Sequence, residues 1–311
     1  MSSQSPPRVS VCIPTCNYGH FIADAIESAI GQTFGDLEVV VVDNVSTDNT
    51  SEVVARFVQA DRRVRYHRNP SNLGMVGNWN RCLDLAGGEF VKILCADDAL
   101  EPSCLEKTVD AFEKHPGVGV VTSARSITDK NLNHLRRVSF SDSHVLRDGT
   151  VVIRECLLKG NLIGEPTAVT FRRRCAKRGF LPAYKQLTDL EMWFHLLEQG
   201  QMYAIPELLC LIRQHGGQET KANTRTLDFV DDEFRIYRDY IMKEYIRLSH
   251  VSKLKIRFTK THNVWKMLYP QVELAQIHRK ISPHMNLYLF YFLQFLYFIR
   301  CIRSAGQQRA T

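Results

Sequence analysis

None of the nine cysteines in this chain of 311 residues stands in a CxxC pair, and their spacing is irregular. An odd count without metal-ligand or framework spacing argues against a zinc site and a disulfide scaffold, and for a reducing, cytoplasmic setting. The first eight residues, Met1-Ser-Ser-Gln-Ser-Pro-Pro-Arg8, lack the apolar core of a secretory leader. No internal repeat is visible. No glycine-rich GxGxxG follows the first strand pattern, where Pro14-Thr15-Cys16-Asn17 stands instead, which argues against a dinucleotide-binding domain. The net charge of +7 is modest. Its bases gather between Lys243 and Arg309, where they frame an apolar block instead of forming an open basic face, so nucleic acid is not expected as a partner.

What is present is the composition of an ordinary globular protein, 44% hydrophobic and 23% charged, long enough to bury a large core. Val9-Ser-Val-Cys-Ile13 reads as a buried strand, and Phe21, Ile22, Ala25, Ile26, Ala29 and Ile30 follow at helical spacing. Leu37-Glu-Val-Val-Val-Val42 is a second strand, a helix follows from about Ser51 to Gln59, and a third strand runs from Val64 to His67. Continuous β-branched runs alternating with amphipathic helices predict an α/β fold whose mostly parallel sheet is covered on both faces. Ligands bind such sheets at the carboxyl ends of the strands. Further on, Met75 to Leu85 reads as a helix, Gly117 to Thr122 as a strand, and the polar stretch from Ser123 to Thr150 as a long excursion over the site. Thr167 to Phe171 is a short strand, Thr188 opens a helix to about Gln199, and Ala204-Ile205 and Leu208 to Ile212 are two strand-like pieces.

The most informative residues are Asp97 and Asp98, which end the mostly apolar run Glu89-Phe-Val-Lys-Ile-Leu-Cys-Ala96. Two like charges side by side at a strand end repel, and a divalent cation shared with phosphate is the usual compensation. The plainer alternative is a polar turn in which Asp98 caps the next helix, which opens near Pro102. Thr15, Asn17, Asp43, Asn44, Asp97 and Asp98 all fall just past successive predicted strands, and that repetition favours a ligand site.

Several landmarks occur in order: Pro14-Thr15-Cys-Asn17-Tyr, Gln32-Thr33-Phe before the second strand and Asp43-Asn44 after it, Asn72-Leu-Gly74, Cys95-Ala-Asp97-Asp98, Thr188-Asp189-Leu-Glu191-Met-Trp193, and Arg213-Gln-His215. The set resembles a family 2 glycosyltransferase of the GT-A fold over about Val9 to Gln218. The resemblance implies a Rossmann-like catalytic domain over 1–218, with a nucleotide-binding half at about 8–122 and an acceptor half at about 123–218. A helical extension over 219–311 would follow. It also implies inverting transfer of a sugar from a UDP-, GDP- or dTDP-sugar to a sugar or lipid-linked saccharide acceptor. Pro14, Thr15, Asn17, Asp43 and Asn44 would then hold the nucleoside, with Asn44 standing where many members have a second aspartate. Asp97 would contact the ribose. Asp98 would ligate Mg²⁺ or Mn²⁺, with His215 near the diphosphate as a further ligand, and Cys95 stands where the common motif has its first acid. Asp189 matches the catalytic base, with Glu191 the alternative base and helix capping the plainer role. Trp193 is expected in the core, and Arg213 either at a phosphate or in an ion pair. A nucleotidyltransferase and a non-catalytic nucleotide-sugar binder remain as rival readings.

The last segment, Leu287 to Ile299, is almost wholly aromatic and aliphatic, with basic residues on both sides. As a helix it would be about 20 Å long, short of a hydrocarbon core of about 30 Å. Three readings stand: a helix packed on the core or on a second subunit, one lying in a membrane interface through about 285–303, or a spanning helix, which the length disfavours.

Overall fold

The computed structural model describes residues 6–216, 228–268 and 272–295. The chain divides into two compact units, 1–222 and 223–311.

In the first unit the strong apolar runs become the heart of one sheet. Strands β1 (Val9–Thr15), β2 (Leu37–Asp43), β3 (Val64–Arg68) and β4 (Phe90–Ile93) pair in parallel in the order β3-β2-β1-β4. Every residue of β2 is buried, as expected of a strand covered on both faces. The covering elements are α1 (Ile22–Ile30), α2 (Thr50–Ala60) and α3 (Gly74–Leu85). α1 buries Ile22, Ala25, Ile26 and Ala29, the stripe that its sequence spacing predicts. After the two-residue β5 (Ala99–Leu100) and α4 (Cys104–Lys114), the sheet continues through β6 (Val118–Thr128), β9 (Val169–Arg172) and β10 (Gln201–Arg213). β9 runs antiparallel to both β4 and β6 and lies between them. β6 and β10 run parallel to each other, so six strands of this mixed sheet share one direction.

Two expectations change here. The stretch from Ser123 to Thr150 is not a loose excursion, because β6 runs on to Thr128 and is buried along its whole length. Its polar side chains are burial-compatible because they have partners: Thr122 Oγ1 donates to the Ile163 carbonyl at 2.6 Å, and Thr128 Oγ1 to the Ile212 carbonyl at 3.3 Å. Two short strands, β7 (His134–Val138) on β6 and β8 (Val145–Asp148) on β10, take up most of the rest before α5 (Gly149–Lys159). The two strand-like pieces after residue 200 are one strand, β10. Its register against β6 shifts between Ile205 and Leu208, around Pro206, which has no N–H to give to a ladder. α6 (Thr188–Leu197) lies just before it.

A charged group sits inside this core. Lys92 on β4 is wholly buried, with Nζ 3.7 Å from the Cys210 sulfur on β10. Burial raises the Cys210 thiol, but the hydrogen bond from Cys104 and the Lys92 charge outweigh it and bring the thiol down to about 6. The ammonium therefore faces a sulfur that also contacts the Ser123 hydroxyl at 3.5 Å and the Thr167 carbonyl at 3.0 Å, a small buried polar cluster.

The second unit packs α7 (Asp228–Ile241), α8 (His250–Leu268), α9 (Leu274–Ile281) and a helical stretch over 287–295 around Phe229, Phe234, Val264, Ile277, Ile281 and Phe290. Ion pairs Lys260–Glu233 (2.6 Å) and Lys280–Asp231 (2.7 Å) tie α8 and α9 to α7. Phe290 and Met285 are buried, whereas Tyr288, Phe292 and Phe295 are 89%, 57% and 60% exposed. Residues 296–311, part of the tail reading, lie outside the described residues.

Breaking the buried pair from one side should be expensive. Cys210→Ala is expected to lower unfolding stability by about 3 kcal/mol, because an ammonium is left without its nearest counter-charge. Adding Lys92→Met should recover most of that loss in urea titrations at pH 7.5, and an additive loss in the double variant would show that the pair does not interact.

Candidate active site

β1 and β4 are neighbours, yet the chain leaves β1 toward β2 on one side and reaches β4 only after β3 on the other. This makes their boundary a topological switch point, where parallel sheets open a crevice. Pairing between them stops at Cys12 and Ile93, closed by Leu94 N–H to the Cys12 carbonyl at 2.9 Å. Beyond that point β1 continues through Pro14 and Thr15 on β2 alone, so the missing N–H of Pro14 breaks no ladder on the β4 side. Thr15, Asp43, Asn44, Asp97 and Asp98 all collect at this end.

The carboxylate pair is inside the protein, with Asp97 8% and Asp98 3% exposed. Asp98 caps no helix. Its Oδ2 accepts from Thr167 Oγ1 at 2.6 Å and its Oδ1 from the Arg213 N–H at 2.9 Å, so it joins β4 to the turn before β9 and to the last residue of β10. Burial, then the neighbouring Asp97 charge, push its pKa well above the usual carboxylate range. Asp97 Oδ2 lies 3.0 Å from His215 Nε2, a contact between residues far apart in the sequence. Phe21, with ring centroid 4.8 Å from that of His215, and Tyr18, at 6.0 Å, flank the imidazole. Arg213 is an internal ion pair and not a free phosphate contact. It reaches Asp24 at 2.6 Å and stacks over Phe21 with 4.3 Å to the ring centroid.

Cys95, Asp97 and Asp98 bring one sulfur and two carboxylate oxygens within 4.8 Å of one another. Two adjacent buried carboxylates fit a hard divalent cation, for which they are the suitable donors. The thiol, itself driven well above its usual range by burial and by both aspartates, is the poorer one. His215 touches Asp97 but falls outside that close group.

The expected nucleoside contacts divide. Thr15 Oγ1 is buried with no hydrogen-bond partner, a hydroxyl that a ligand at the crevice could satisfy. Asp43 and Asn44 stand at the strand end but are spent on the protein. Asp43 accepts from Ser46 N–H (2.8 Å), Ser46 Oγ (2.6 Å), Tyr66 Oη (2.6 Å) and Arg68 (2.8 Å). The Asn44 amide donates to Asn72 (2.8 Å) and Gly74 (3.3 Å) and accepts from Asn69 (3.1 Å) and the Leu73 N–H (2.8 Å), which fills all four of its positions. The Asn44 amide holds the 69–74 loop. Asn17, with φ of 61°, likewise holds the facing loop by accepting from the Thr47 N–H at 2.7 Å.

Asp189 lies in the first turn of α6, whose cap position is held by Leu187, so capping does not explain it. Its carboxyl accepts from the Leu190 N–H at 2.7 Å. Burial pushes its pKa up to about 7, with the Glu165 charge adding to the rise, and its own charge is felt at Cys95 beside the carboxylate pair. Glu191, the alternative base, is buried in a bidentate pair with Arg178 at 2.8 and 2.6 Å and has no oxygen to offer. Trp193 is core, as expected, with Nε1 donating to the Gly164 carbonyl at 3.1 Å. The residues that sequence reasoning missed are Thr167, which orients Asp98, and Glu165, which pairs with the buried Arg125 beside Asp189. Glu165 reads as part of an ordinary loop and Thr167 as the start of a short strand, whereas Thr167 lies in the turn before β9, and only the sheet order brings that turn under the strand ends.

Comparisons with known proteins bear on the family and the fold. Residues 10–180 match the model of glycosyl transferase family 2. An uncharacterised protein of Mycobacterium tuberculosis is 32% identical over 240 residues, 74% of each chain. The chondroitin synthase of Escherichia coli is 26% identical across 80% of this chain, which spans only 34% of that protein's length. Among solved structures, TarS 1–349 of S. aureus in complex with UDP-GlcNAc superposes with a TM-score of 0.68 at 18% identity, covering 88% of this chain and 79% of that one. The mannosyltransferase PcManGT of Pyrobaculum calidifontis, in complex with GDP-Man and Mn²⁺, gives 0.55 at 18% identity, covering 95% and 86%.

Asp98 carries a cost that its removal exposes. A carboxyl whose pKa is higher folded than unfolded loses stability as pH rises between the two values, so above that window the ionised group strains the fold. Asp98→Asn should therefore melt at a higher temperature than wild type at pH 7.5 without divalent cations, while cation-dependent binding of a nucleoside diphosphate is lost. A lower melting temperature would show that the hydrogen bonds to Thr167 and Arg213 outweigh the charge.

Proposed function

The chain belongs to glycosyl transferase family 2 and is a glycosyltransferase, and from that premise we propose an inverting, divalent-cation-dependent transfer from a nucleotide sugar to an acceptor hydroxyl. The observation that carries the proposal is the buried Asp97–Asp98 pair grouped with Cys95 after β4, together with Asp189, at the start of α6, whose charge is felt at that same Cys95. One end of the site is a buried carboxylate pair suited to a cation and a diphosphate. The other is a single carboxyl whose pKa near neutrality suits a general base.

In this reading the donor's nucleoside lies over β1 and β4, with Thr15 Oγ1 and Asp97 as its polar contacts and Asp43, Asn44, Asn17 and Pro14 shaping the wall. Asp98, held by Thr167 and the Arg213 N–H, would ligate Mg²⁺ or Mn²⁺, and His215 positions Asp97. The cation, when bound, supplies positive charge against the departing nucleoside diphosphate. Asp189 takes the proton from the acceptor hydroxyl as that oxygen attacks the anomeric carbon. The bond to the diphosphate oxygen breaks on the opposite face, and the configuration inverts. The matches to TarS with UDP-GlcNAc and to the chondroitin and hyaluronan synthases support a nucleotide-sugar donor and a role in polysaccharide or glycoconjugate assembly.

Asp189 must be ionised to act. With its pKa at about 7, the value of kcat/KM is expected to rise with pH through about 7 and then level off. Asp189→Asn should keep donor affinity and lose roughly 10²–10⁴-fold in rate, the range of a general base. A screen of UDP-, GDP- and dTDP-sugars for Mn²⁺-dependent hydrolysis identifies the donor. A variant with wild-type turnover would remove Asp189 from catalysis, and absence of turnover with every donor would favour a non-catalytic binder.

The helical stretch over 287–295 extends the proposal. Among the described residues no helix is long and apolar enough to cross a membrane. Tyr288, Phe292 and Phe295 nevertheless share one exposed helical face, opposite the buried Phe290, with Arg279 and Lys280 earlier in the same unit. This face suits contact with an anionic membrane surface, where a lipid-linked acceptor would be presented. Phe292→Ser with Phe295→Ser should reduce flotation with anionic liposomes at low salt without changing thermal stability. Phe290→Ala should destabilise the unit by about 3–5 kcal/mol through the cavity it leaves. Unchanged flotation in the double variant would end the membrane reading.

A further inference from the structure

A cavity of about 890 Å³ opens well away from the carboxylates, and its walls are basic. It is built where β1 begins (Pro6 to Arg8), where β4 begins (Gly87 and Glu89) and where the antiparallel β9 ends, so it lies at the opposite edge of the sheet from Thr15 and Asp97. The seven residues of β1 set the two ends about 20 Å apart.

Six cationic side chains line it: Arg8, Arg172, Arg173, Arg174, Lys177 and Arg178. Three of them are neutralised within the protein. Arg8 and Arg172 pair with Glu89 at 3.5 and 2.7 Å, Arg8 also with Glu113 at 3.0 Å, and Arg178 with Glu191. The other three have no carboxylate partner among the described residues. Arg173 donates only to the carbonyls of Gly88 (2.7 Å) and Gly87 (3.4 Å), and Arg174 and Lys177 make no hydrogen bond or ion pair. All three come from one short turn and the residue after it, so the chain places them together. Asp84 also lines the cavity, one acid against three unmatched cations. The field is felt inside the wall, where burial lowers the pKa of Arg172, the Glu89 charge raises it in part, and the Arg174 charge adds to the lowering.

We propose that this cavity binds a phosphate-bearing ligand, at a site separate from the donor crevice. A concave site of this volume matches a sugar phosphate or nucleotide better than a flat surface would, and two unmatched guanidinium groups can each grip a phosphate through paired N–H donors. The phosphate can come from a free sugar phosphate or from a lipid headgroup, and the chemistry of recognition is the same.

Pyrophosphate serves as the probe, titrated calorimetrically into the full chain with EDTA present so that the carboxylate site takes no part. One saturable site is expected. Arg174→Glu with Lys177→Glu should weaken it by at least about tenfold, because two attractive charges become repulsive. Both side chains are exposed and unpartnered, so the variant is expected to fold, and an unchanged melting temperature checks this. Arg56→Glu with Arg62→Glu makes the same change in net charge at exposed positions outside the cavity and should leave affinity unchanged. Displacement of pyrophosphate by glucose 1-phosphate identifies a free ligand, and displacement by anionic phospholipid vesicles identifies a headgroup. Equal weakening in both charge-reversed variants, or no saturable binding, overturns the proposal. Neither result touches the glycosyltransferase reading, which stands or falls on the cation-dependent donor assay.

Discussion

Two carboxylates adjacent in sequence and both buried are the constraint around which the first unit is arranged. Repulsion between Asp97 and Asp98, added to their loss of water, would drive a proton onto one of them or pull the strand end into solvent. The fold answers with donors from three distant places: the Thr167 hydroxyl, the Arg213 N–H and the His215 imidazole. Each fixes an element. Thr167 also accepts from the Cys95 N–H at 3.1 Å, which locks the turn before β9 against the end of β4, and Arg213 anchors the last residue of β10 while its side chain reaches α1. Burial and the Asp97 charge still outweigh these contacts and leave the Asp98 pKa well above the usual carboxylate range.

Much of this was legible in the chain. Buried strands covered on two faces are written as unbroken Val and Ile runs with a polar residue after each run, so β1, β2, β4 and their terminal polar residues could be located by pattern alone. β6 could not. Its second half, Ser123 to Thr128, is as polar as a loop, and hydropathy does not record that Thr128 has the Ile212 carbonyl as a partner or that Arg125 has Glu165. The join of β10 across Pro206 was hidden for a related reason. A proline reads as a break, whereas a register shift lets the strand pass through it.

Asparagine was the least readable residue. Asn17 and Asn44 stand where a ligand-binding side chain would stand, but an amide with four hydrogen-bonding positions serves backbone loops equally well. Both were taken by the 46–48 and 69–74 turns. Spacing fixes which end of the sheet a side chain occupies and leaves open whether it turns toward a ligand or toward its own chain. Thr15 shows the converse, a modest residue marked out only by the partner that its buried hydroxyl lacks.

The position of β9 also has a meaning in time. The strands β3-β2-β1-β4 are complete once residue 93 has been made, but the strand that covers the outer edge of β4 is residues 169–172. Through the synthesis of the intervening 75 residues or so, at about 5–20 residues per second, the Phe90–Ile93 edge stays open for several seconds. Because β6 also needs β9 to reach β4, the two halves of the sheet wait on a four-residue strand that arrives after both flanking strands. A nascent chain stalled before Arg172 would present the unpaired Phe90–Ile93 edge to whatever else in the cell pairs with strands.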